Sequence, residues 1–357
     1  MTNICKILPH PLRPGVPPLK SNYLNHNTIL NDGNTIAWYD YIDKNIEVDA
    51  NGFVCVWPDK LNYFKNKDAT VNGTFDSDVS WTKGVGWSIA DGVAKSNNGN
   101  GTYLNQAAIA ANVLYKLTYT VKSYTSGTVL AYTTSGGFIG TSVTGTGTYV
   151  EYILQSIAST WYGFRSDNFI GSIDNVSLIP YSGVNLSQNI IARRPLLSAT
   201  GIMFNGNSLK TPTITLNQPE TIYLVLKTNS WISTYNYMDG ISVNSGRFFQ
   251  FSSTPTVSLY AGSGGFKRYL NWIIGTWAVV TCTFNGNDSN LMINELIPFY
   301  PLKSFAGSNN MSGFTLGSIA GGTTGANFDV KEVIIRKVDR YVENNIIASY
   351  LRNKWLF

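Results

Sequence analysis

Residues 113–124 read VLYKLTYTVKSY, and this stretch decides the fold class of the chain. Polar and apolar side chains alternate along it, and the apolar set is Tyr115, Leu117, Tyr119 and Val121. Alternation with a period of two is the pattern of a half-buried β-strand, because successive side chains point to opposite faces of a sheet. Similar stretches recur along the chain with Gly, Ser and Asn between them. The sequence therefore predicts an all-β protein.

The composition favours the same fold class. Aromatic residues make up 13% of the 357 residues, which argues against a disordered chain. Charged residues also make up only 13%, against roughly 25% in an average soluble protein. The net charge of +5 is spread out, without the dense basic tract of a nucleic-acid-binding protein. No apolar run reaches the ~18 residues of a membrane span, so we expect neither nucleic-acid binding nor membrane insertion.

The first 31 residues differ from the rest of the chain. Five prolines lie between positions 9 and 18, and the first acidic residue is Asp32. Prolines at this density favour an extended polyproline conformation without a core. Residues 1–31 are therefore predicted to form a proline-rich N-terminal arm, which either docks onto a partner surface or is a disordered tail. This segment contains no apolar run long enough for a signal peptide.

A second series of strand-like stretches follows Tyr181 and ends in a helix. The clearest strands are TIYLVLKT (221–228), TWAVVTCTFNG (276–286) and FDVKEVIIRKVD (328–339). In the last element, VENNIIASYLRNKW (342–355), the residues at helical spacing are Ile346, Ile347, Tyr350 and Leu351. This pattern predicts one C-terminal helix that packs across the edge of a sandwich.

The middle of the chain resembles a carbohydrate-binding module of the family 4/9 type. The motifs that carry the resemblance are NGTFDSDVSWTKGVGW (72–87), YLNQ (103–106), YKLTYTV (115–121) and GSIDNVSLI (171–179). The opening and closing motifs occur in order and at the separation that this family shows. The resemblance implies a jelly-roll β-sandwich.

The flanking sequence resembles a concanavalin A-like lectin/glucanase (laminin G-like) sandwich. The motifs here include AWYD (37–40), VCVWPDK (54–60), WAVVTCTFNG (277–286), FTLGS (314–318) and YLRNKW (350–355). The two resemblances together imply a split sandwich domain of residues 32–63 and 182–357, interrupted by a jelly-roll module of residues 64–181. With a proline-rich arm and no export signal, this arrangement is similar to structural proteins of tailed bacteriophages.

The sequence offers few residues for catalysis. Its two histidines, His10 and His26, both lie in the arm, so the folded body has none for a Ser-His-Asp or Cys-His arrangement. Glycoside hydrolysis needs two carboxylates, yet the paired acids of lectin/glucanase enzymes are missing here. Asp329 and Glu332 are three residues apart, which puts them on opposite faces of a strand. We therefore expect no catalytic residues and a protein that is not an enzyme.

The module resemblance also implies one structural calcium ion. Modules of this type often bind Ca²⁺ between the opening loop and the last strand. The matching residues in this sequence are Asp76 in GTFDS and Asp174 in SIDNV, with the backbone carbonyl of Asn72 nearby. This family often has Glu at the position of Asp76. The alternative is that these aspartates cap turns.

Sugar recognition usually combines an aromatic ring, stacked on the apolar face of a sugar, with polar groups around it. The candidate rings of the module are Tyr103, Tyr132, Trp161 and Tyr162. Trp161 and Tyr162 are adjacent on a predicted strand, so only one of them can face inward. In the lectin-like part, TNSWISTYNYMDG (228–240) is predicted to be a loop that presents Trp231 and Tyr235. A subunit interface would select the same kind of residue.

These observations favour a bacteriophage virion protein, on the outer surface of the capsid or tail: a capsid decoration, a head fibre or a tail-associated adhesin. Its arm would bind other virion proteins, and its sandwiches would contact host-surface or mucin glycans. Many copies, or a homo-oligomer, would amplify weak binding at each site. Two alternatives stay open: a purely structural assembly protein without glycan binding, and a polysaccharide depolymerase.

Overall fold

The computed structural model describes residues 25–43, 45–134, 139–252, 255–269, 273–294, 303–322 and 324–356, with only the backbone of residues 266–269. Residues 1–24 of the predicted arm lie outside this part of the chain. The all-β prediction is confirmed, since the described residues form 22 strands and two α-helices.

The strands fall into three groups along the chain. Before residue 64 come β1 (Thr35–Asp40), β2 (Glu47–Val48) and β3 (Val54–Trp57). The next six are β4 (Thr82–Lys83), β5 (Trp87–Ala90), β6 (Val93–Gln106), β7 (Leu114–Thr133), β8 (Gly147–Ile153) and β9 (Tyr162–Tyr181). The last thirteen are β10 (Leu186–Ser187), β11 (Leu196–Leu197), β12 (Ile202–Asn205), β13 (Leu209–Lys210), β14 (Glu220–Thr228), β15 (Asn236–Asp239), β16 (Arg247–Gln250), β17 (Thr256–Ala261), β18 (Ser263–Tyr269), β19 (Trp277–Phe284), β20 (Asn290–Ile293), β21 (Thr315–Leu316) and β22 (Asn327–Arg336).

These strands form three sheets. Sheet A has the order β11-β12-β22-β14-β19-β20, with β1 also paired to β22. Sheet B has the order β18-β17-β16-β15-β21-β13-β10-β3-β2. Sheet C has the order β4-β6-β9-β7-β8, with β5 also paired to β6. Sheets A and B thus combine strands from both sides of residues 64–181, whereas sheet C uses only strands within that segment. We call sheets A and B with their helices the sandwich, and sheet C the module.

Sheets A and B pack face to face around one hydrophobic core. Sheet A contributes Ile222 and Leu224 of β14, and sheet B contributes Met238 of β15 and Phe248 of β16. All four side chains are fully buried. The alternation of a strand then sends the intervening residues of β14, such as Tyr223, to the outer face of sheet A.

The C-terminal helix α2 (Tyr341–Trp355) covers that outer face. Its Ile347 and Leu351 pack against Tyr223 of β14 and Ile334 of β22. β14 is therefore buried on both faces, which is why its sequence is a nearly continuous apolar run. The helix lies against the face of sheet A and not across the sandwich edge, because this face is apolar and needs a cover.

A second helix, α1 (His26–Leu30), occupies the end of the segment predicted to be an extended arm. Its Ile29 and Leu30 are buried in the cluster that α2 forms with sheet A. The His26 ring stacks on Tyr350 with ring centroids 4.0 Å apart. Residues 26–30 are therefore packed on the body of the protein, because two apolar side chains within one turn gain burial there.

The module has its own core, built by two long strands that bend. β7 and β9 are each 20 residues long and pair with each other through several β-bulges. Bulges bend and twist a strand, so one sheet curls over its own apolar face. Leu117, Tyr119, Phe164 and Ile173 are fully buried in this core.

The module joins the sandwich at two neighbouring points of the chain. The Ser182 N–H donates to the Phe64 carbonyl at 2.9 Å, so the segment begins and ends in the same place. A small apolar cluster, which includes Cys55 of β3 with Leu114 and Tyr181 of the module, lies between the two parts. In the part of the chain that the structure describes, no helix is both long and apolar enough to cross a membrane.

Candidate functional site

Three of the aromatic side chains that the sequence singled out lie together on the outer face of sheet C. Tyr103 is on β6, Tyr132 is on β7 and Trp161 directly precedes β9. Their ring centroids are 5.3 Å apart for Tyr103–Tyr132, 5.2 Å for Tyr103–Trp161 and 6.0 Å for Tyr132–Trp161. We call these three residues the aromatic cluster. All three are partly exposed to solvent.

The alternation of the strands places the aromatic cluster outside the module core. The neighbours Leu104, Ala131 and Tyr162 are buried and belong to that core, whereas no ring of the cluster does. Because successive side chains face opposite ways, burial of these neighbours turns Tyr103, Tyr132 and Trp161 outward.

Tyr162 is the predicted sugar-binding ring of the module whose position does not agree with that role. It is 1% exposed, and its hydroxyl lies 2.8 Å from that of Thr70 and donates to Gln106 at 3.4 Å. Burial raises the pKa of this phenol above its ordinary value. Of the adjacent pair, Trp161 is therefore the residue that can face a ligand, because the inward position of the strand is taken by Tyr162.

Gly163 leaves the strand between the rings without a side chain. It pairs with Asn105 of β6 and with Tyr132 of β7. A Cβ atom at this position would lie 2.0 Å from the Leu104 carbonyl oxygen, so the close approach of the strands requires glycine. The surface beside Tyr132 is therefore formed by backbone.

An ion pair adjoins the aromatic cluster. Arg165 pairs with Tyr103 in the sheet register, and its Nε lies 2.9 Å from Oδ1 of Asp167, with both side chains about one-third exposed. A cluster of exposed rings beside fixed polar groups is the arrangement that stacks on a sugar ring and bonds its hydroxyl groups.

The lectin-like candidates Trp231 and Tyr235 are not part of this cluster. They lie in the connection between β14 and β15 and pack, partly buried, against the sandwich core. The Trp231 indole N–H donates to the Ser252 carbonyl. These contacts make both rings part of the packing at the end of the sandwich.

Sequence reasoning missed a groove on the outer face of sheet B. Arg247 and Phe249 of β16 and Tyr260 of β17 line it, with a volume of about 350 Å³. The Arg247 guanidinium lies 4.1 Å from the centre of the Phe249 ring. The stretch RFFQF (247–251) could have indicated this groove. Its Phe248 and Gln250 face inward, and the alternate residues face outward.

The calcium candidates do not form a fitting donor set. Asp174 Oδ2 lies 3.3 Å from the Lys122 ammonium, so a cation already faces this carboxylate. The Asn72 carbonyl accepts hydrogen bonds from the Trp81 indole N–H and from the Phe75 N–H. Asp76 is exposed and accepts from the Thr74 hydroxyl, as a turn-capping residue does. No cluster of three or more His, Cys, Asp or Glu suited to a metal occurs among the described residues.

No family model and no curated protein matches the chain. Among solved structures it is similar to sialidases of Trypanosoma rangeli. A mutant with trans-sialidase activity is 11% identical, with a TM-score of 0.35, over 49% of this chain and 30% of that one. A complex with 2-keto-3-deoxy-D-glycero-D-galacto-2,3-difluoro-nononic acid is 11% identical, with a TM-score of 0.33, over 48% and 30%.

A third Trypanosoma rangeli sialidase structure is 7% identical, with a TM-score of 0.36, over 75% of this chain and 52% of that one. The chain thus spans about half or less of the length of these sialidases. Scores and identities of this size carry no argument about a site, a substrate or a reaction. The class that the fold defines is an all-β protein built from β-sandwiches.

The prediction that the chain is not an enzyme needs correction. Three solved structures to which it is similar are of a sialidase, which is an enzyme, so the prediction is withdrawn; a similarity of this size assigns no activity to this chain. The predicted placement of Asp329 and Glu332 on opposite faces of a strand is also wrong. Asp329 and Glu332 both lie on the helix-covered side of sheet A, because a bulge opposite Val225 shifts the alternation of β22. Their carboxylates bind Lys227 and Lys354, each at 2.7 Å.

Proposed function

We propose that this protein binds glycans through the aromatic cluster of its module. The observation that carries the proposal is the gathering of Tyr103, Tyr132 and Trp161 on one solvent-facing surface, with centroids 5.2 to 6.0 Å apart. Stability of the module does not require exposed rings there, because its core is filled by other side chains. Exposed aromatic groups that do not fill a core mark binding surfaces.

The geometry of the cluster suits a sugar ring. The rings are inclined to one another by 34° to 56°, so they form a cupped surface and not a flat stack. A pyranose presents an apolar face of C–H groups to such a surface, while its hydroxyl groups reach polar neighbours. Arg165 and Asp167 supply charged donor and acceptor groups beside the rings.

We extend the proposal to display on a bacteriophage virion, which rests on the sequence resemblance alone. In this proposal, residues 1–24 contact other virion proteins, and the sandwich and module face outward. Many copies on one particle would convert weak binding at each cluster into firm attachment.

A glycan array tests the proposal. The full chain should bind a defined sugar class, and Trp161→Ala should abolish the signal, because it removes one wall of the cluster. Phe64→Ala is the matched control, since Phe64 is 64% exposed and lies outside the cluster. An array on which the folded protein binds nothing would favour the purely structural alternative, and glycan binding that Trp161→Ala retains would place the glycan site outside the aromatic cluster.

A further inference from the structure

A cleft lies between the module and the sandwich. Its volume is about 490 Å³, within the range of roughly 300–1,000 Å³ that small-molecule sites occupy. The module contributes Asn112 and the segment 154–157, and the sandwich contributes residues 188–190, 193, 208, 210–213, 241, 315 and 321–322. The cleft shares no residue with the aromatic cluster.

Two cationic side chains face this cleft without a counter-ion. Lys210 ends strand β13, Arg193 ends a 3₁₀ turn, and both residues line the cleft. No Asp or Glu lines the cleft. Among the described residues, neither the Lys210 ammonium nor the Arg193 guanidinium has a salt bridge, although thirteen other lysines and arginines do.

The two cations affect each other. Lys210 is open to solvent at the mouth of the cleft, yet the surrounding walls desolvate its ammonium group. This desolvation, followed by repulsion from Arg193, lowers the pKa of Lys210 below its ordinary value. An anion placed between the two groups would relieve this repulsion.

The rest of the lining is neutral and rich in hydrogen-bonding groups. It includes Asn112, Asn189, Ser156, Thr213 and Thr315. Gln155 lies in the module wall, is 7% exposed, and has an amide nitrogen without a hydrogen-bond partner just beneath the surface. Hydroxyl and amide groups of this kind match the hydroxyl groups of a sugar, while the two cations match an acidic substituent.

We infer that the cleft between module and sandwich is a second binding site, for a saccharide unit that carries a carboxylate or sulfate group. Lys210 and Arg193 bind the acidic group, and the amide and hydroxyl groups bind the sugar hydroxyls. This site goes beyond the proposed function, because it neither uses the aromatic cluster nor depends on it.

Calorimetric titration of the full chain tests this inference. The probes are glucuronate, glucose 6-sulfate and glucose, at low and at physiological salt. We expect at least one acidic sugar to bind, and its identity distinguishes a carboxylate from a sulfate site. Glucose should bind at least tenfold more weakly. Lys210→Gln and Arg193→Gln should each weaken acidic-sugar binding about tenfold or more.

Two control variants make the result specific. Lys337→Gln removes an exposed cation outside the cleft, and Trp161→Ala removes a ring of the aromatic cluster; both should retain acidic-sugar binding. Circular dichroism should show that all four variants are folded. The inference is overturned if the cleft variants bind like the wild type, if glucose binds as well as glucuronate and glucose 6-sulfate, or if inorganic sulfate competes as strongly as the acidic sugar.

Discussion

The Glu47 carboxylate on β2 of the sandwich accepts a hydrogen bond of 2.6 Å from the hydroxyl of Tyr181, the last residue of β9 in the module. Tyr152 of the module donates to the same carboxylate, also at 2.6 Å, and Lys116 does so at 2.9 Å. Lys65 adds an ion pair of 2.8 Å. The Glu47 carboxylate of the sandwich thus contacts four donor groups of residues 64–181. These contacts hold the module against sheet B.

This arrangement predicts a pH-dependent contribution to stability. Burial alone would raise the pKa of Glu47, but the hydrogen bonds from Lys65, Tyr152, Tyr181 and Lys116 outweigh it and lower the pKa from 4.5 to about 2. A lowered folded-state pKa stabilises the protein above the unfolded pKa, and the gain disappears as the pH falls towards 2. Glu47→Gln should therefore lower the free energy of unfolding by about 3 kcal/mol at pH 7, and by much less near pH 2.

Urea unfolding at pH 7 and at pH 3 tests this dependence, because part of the gain should already be lost at pH 3. Asp91→Asn is the control, because Asp91 forms an exposed ion pair with Lys95 and should have no measurable effect. Equal stability of Glu47→Gln and wild type at pH 7 would show that Glu47 does not hold the module in place.

Removal of residues 64–181 should leave a folded sandwich. The Ser182 N–H is hydrogen-bonded to the carbonyl of Phe64, the residue after Tyr63. The cut ends Tyr63 and Ser182 therefore lie close together and can be joined directly. The isolated segment 64–181 should also fold, because its core is separate from that of the sandwich. Cooperative thermal unfolding of both shortened chains is expected, with some loss of stability in the sandwich because Cys55 and Val56 become exposed. A sandwich that unfolds without cooperativity would contradict the inserted-module organisation.

For Glu220 we expect stability to change with pH in the direction opposite to that expected for Glu47. This glutamate is fully buried, and neither carboxyl oxygen has a hydrogen-bond partner. Burial raises its pKa from 4.5 to about 9. A raised folded-state pKa gives stability that is complete below pH 4.5 and declines as the pH rises towards 9. The slope is at most about 1.4 kcal/mol per pH unit.

Glu220→Gln removes this titrating group while keeping its shape. The variant should gain stability relative to the wild type between pH 5 and pH 8, as measured by urea unfolding at both values. A constant difference between the two proteins across this range would mean that Glu220 does not take up a proton on folding.

Removal of divalent cations should not change the thermal stability. Asp174 faces Lys122, and the Asn72 carbonyl already accepts two hydrogen bonds, so the predicted calcium ligands have other partners. Thermal melts with calcium and with a chelator should agree within about a degree. A melting temperature several degrees higher with calcium would support the calcium site that the module resemblance implies.

The fold class followed from sequence because alternation is a local property. The stretch 113–124 and the run 221–228 each predicted their strands directly. The curling of sheet C depends on bulges in β7 and β9, which are set by pairing between distant strands and leave no simple local pattern. Helix α1 was missed for a similar reason, since its burial depends on α2 more than 300 positions later.

The residues of the aromatic cluster could be partly predicted, because the alternation of a strand is a local property. Tyr103, Tyr132 and Trp161 could be chosen as aromatic residues on strands, and the choice between Trp161 and Tyr162 needed only the inward direction of β9. Their approach to one another depends on the order β6-β9-β7 in sheet C, which no single segment encodes. The cleft with Lys210 and Arg193 could not be foreseen, because it exists only where two separately formed parts of the chain meet.

The central claim, glycan binding at the aromatic cluster, is tested most directly by titration of the full chain with the best sugar from the array. Trp161→Ala should weaken binding at least tenfold, about 1.4 kcal/mol, while Phe64→Ala should leave the affinity and the thermal stability unchanged. If Trp161→Ala binds the sugar as tightly as the wild type, the aromatic cluster is not the glycan site.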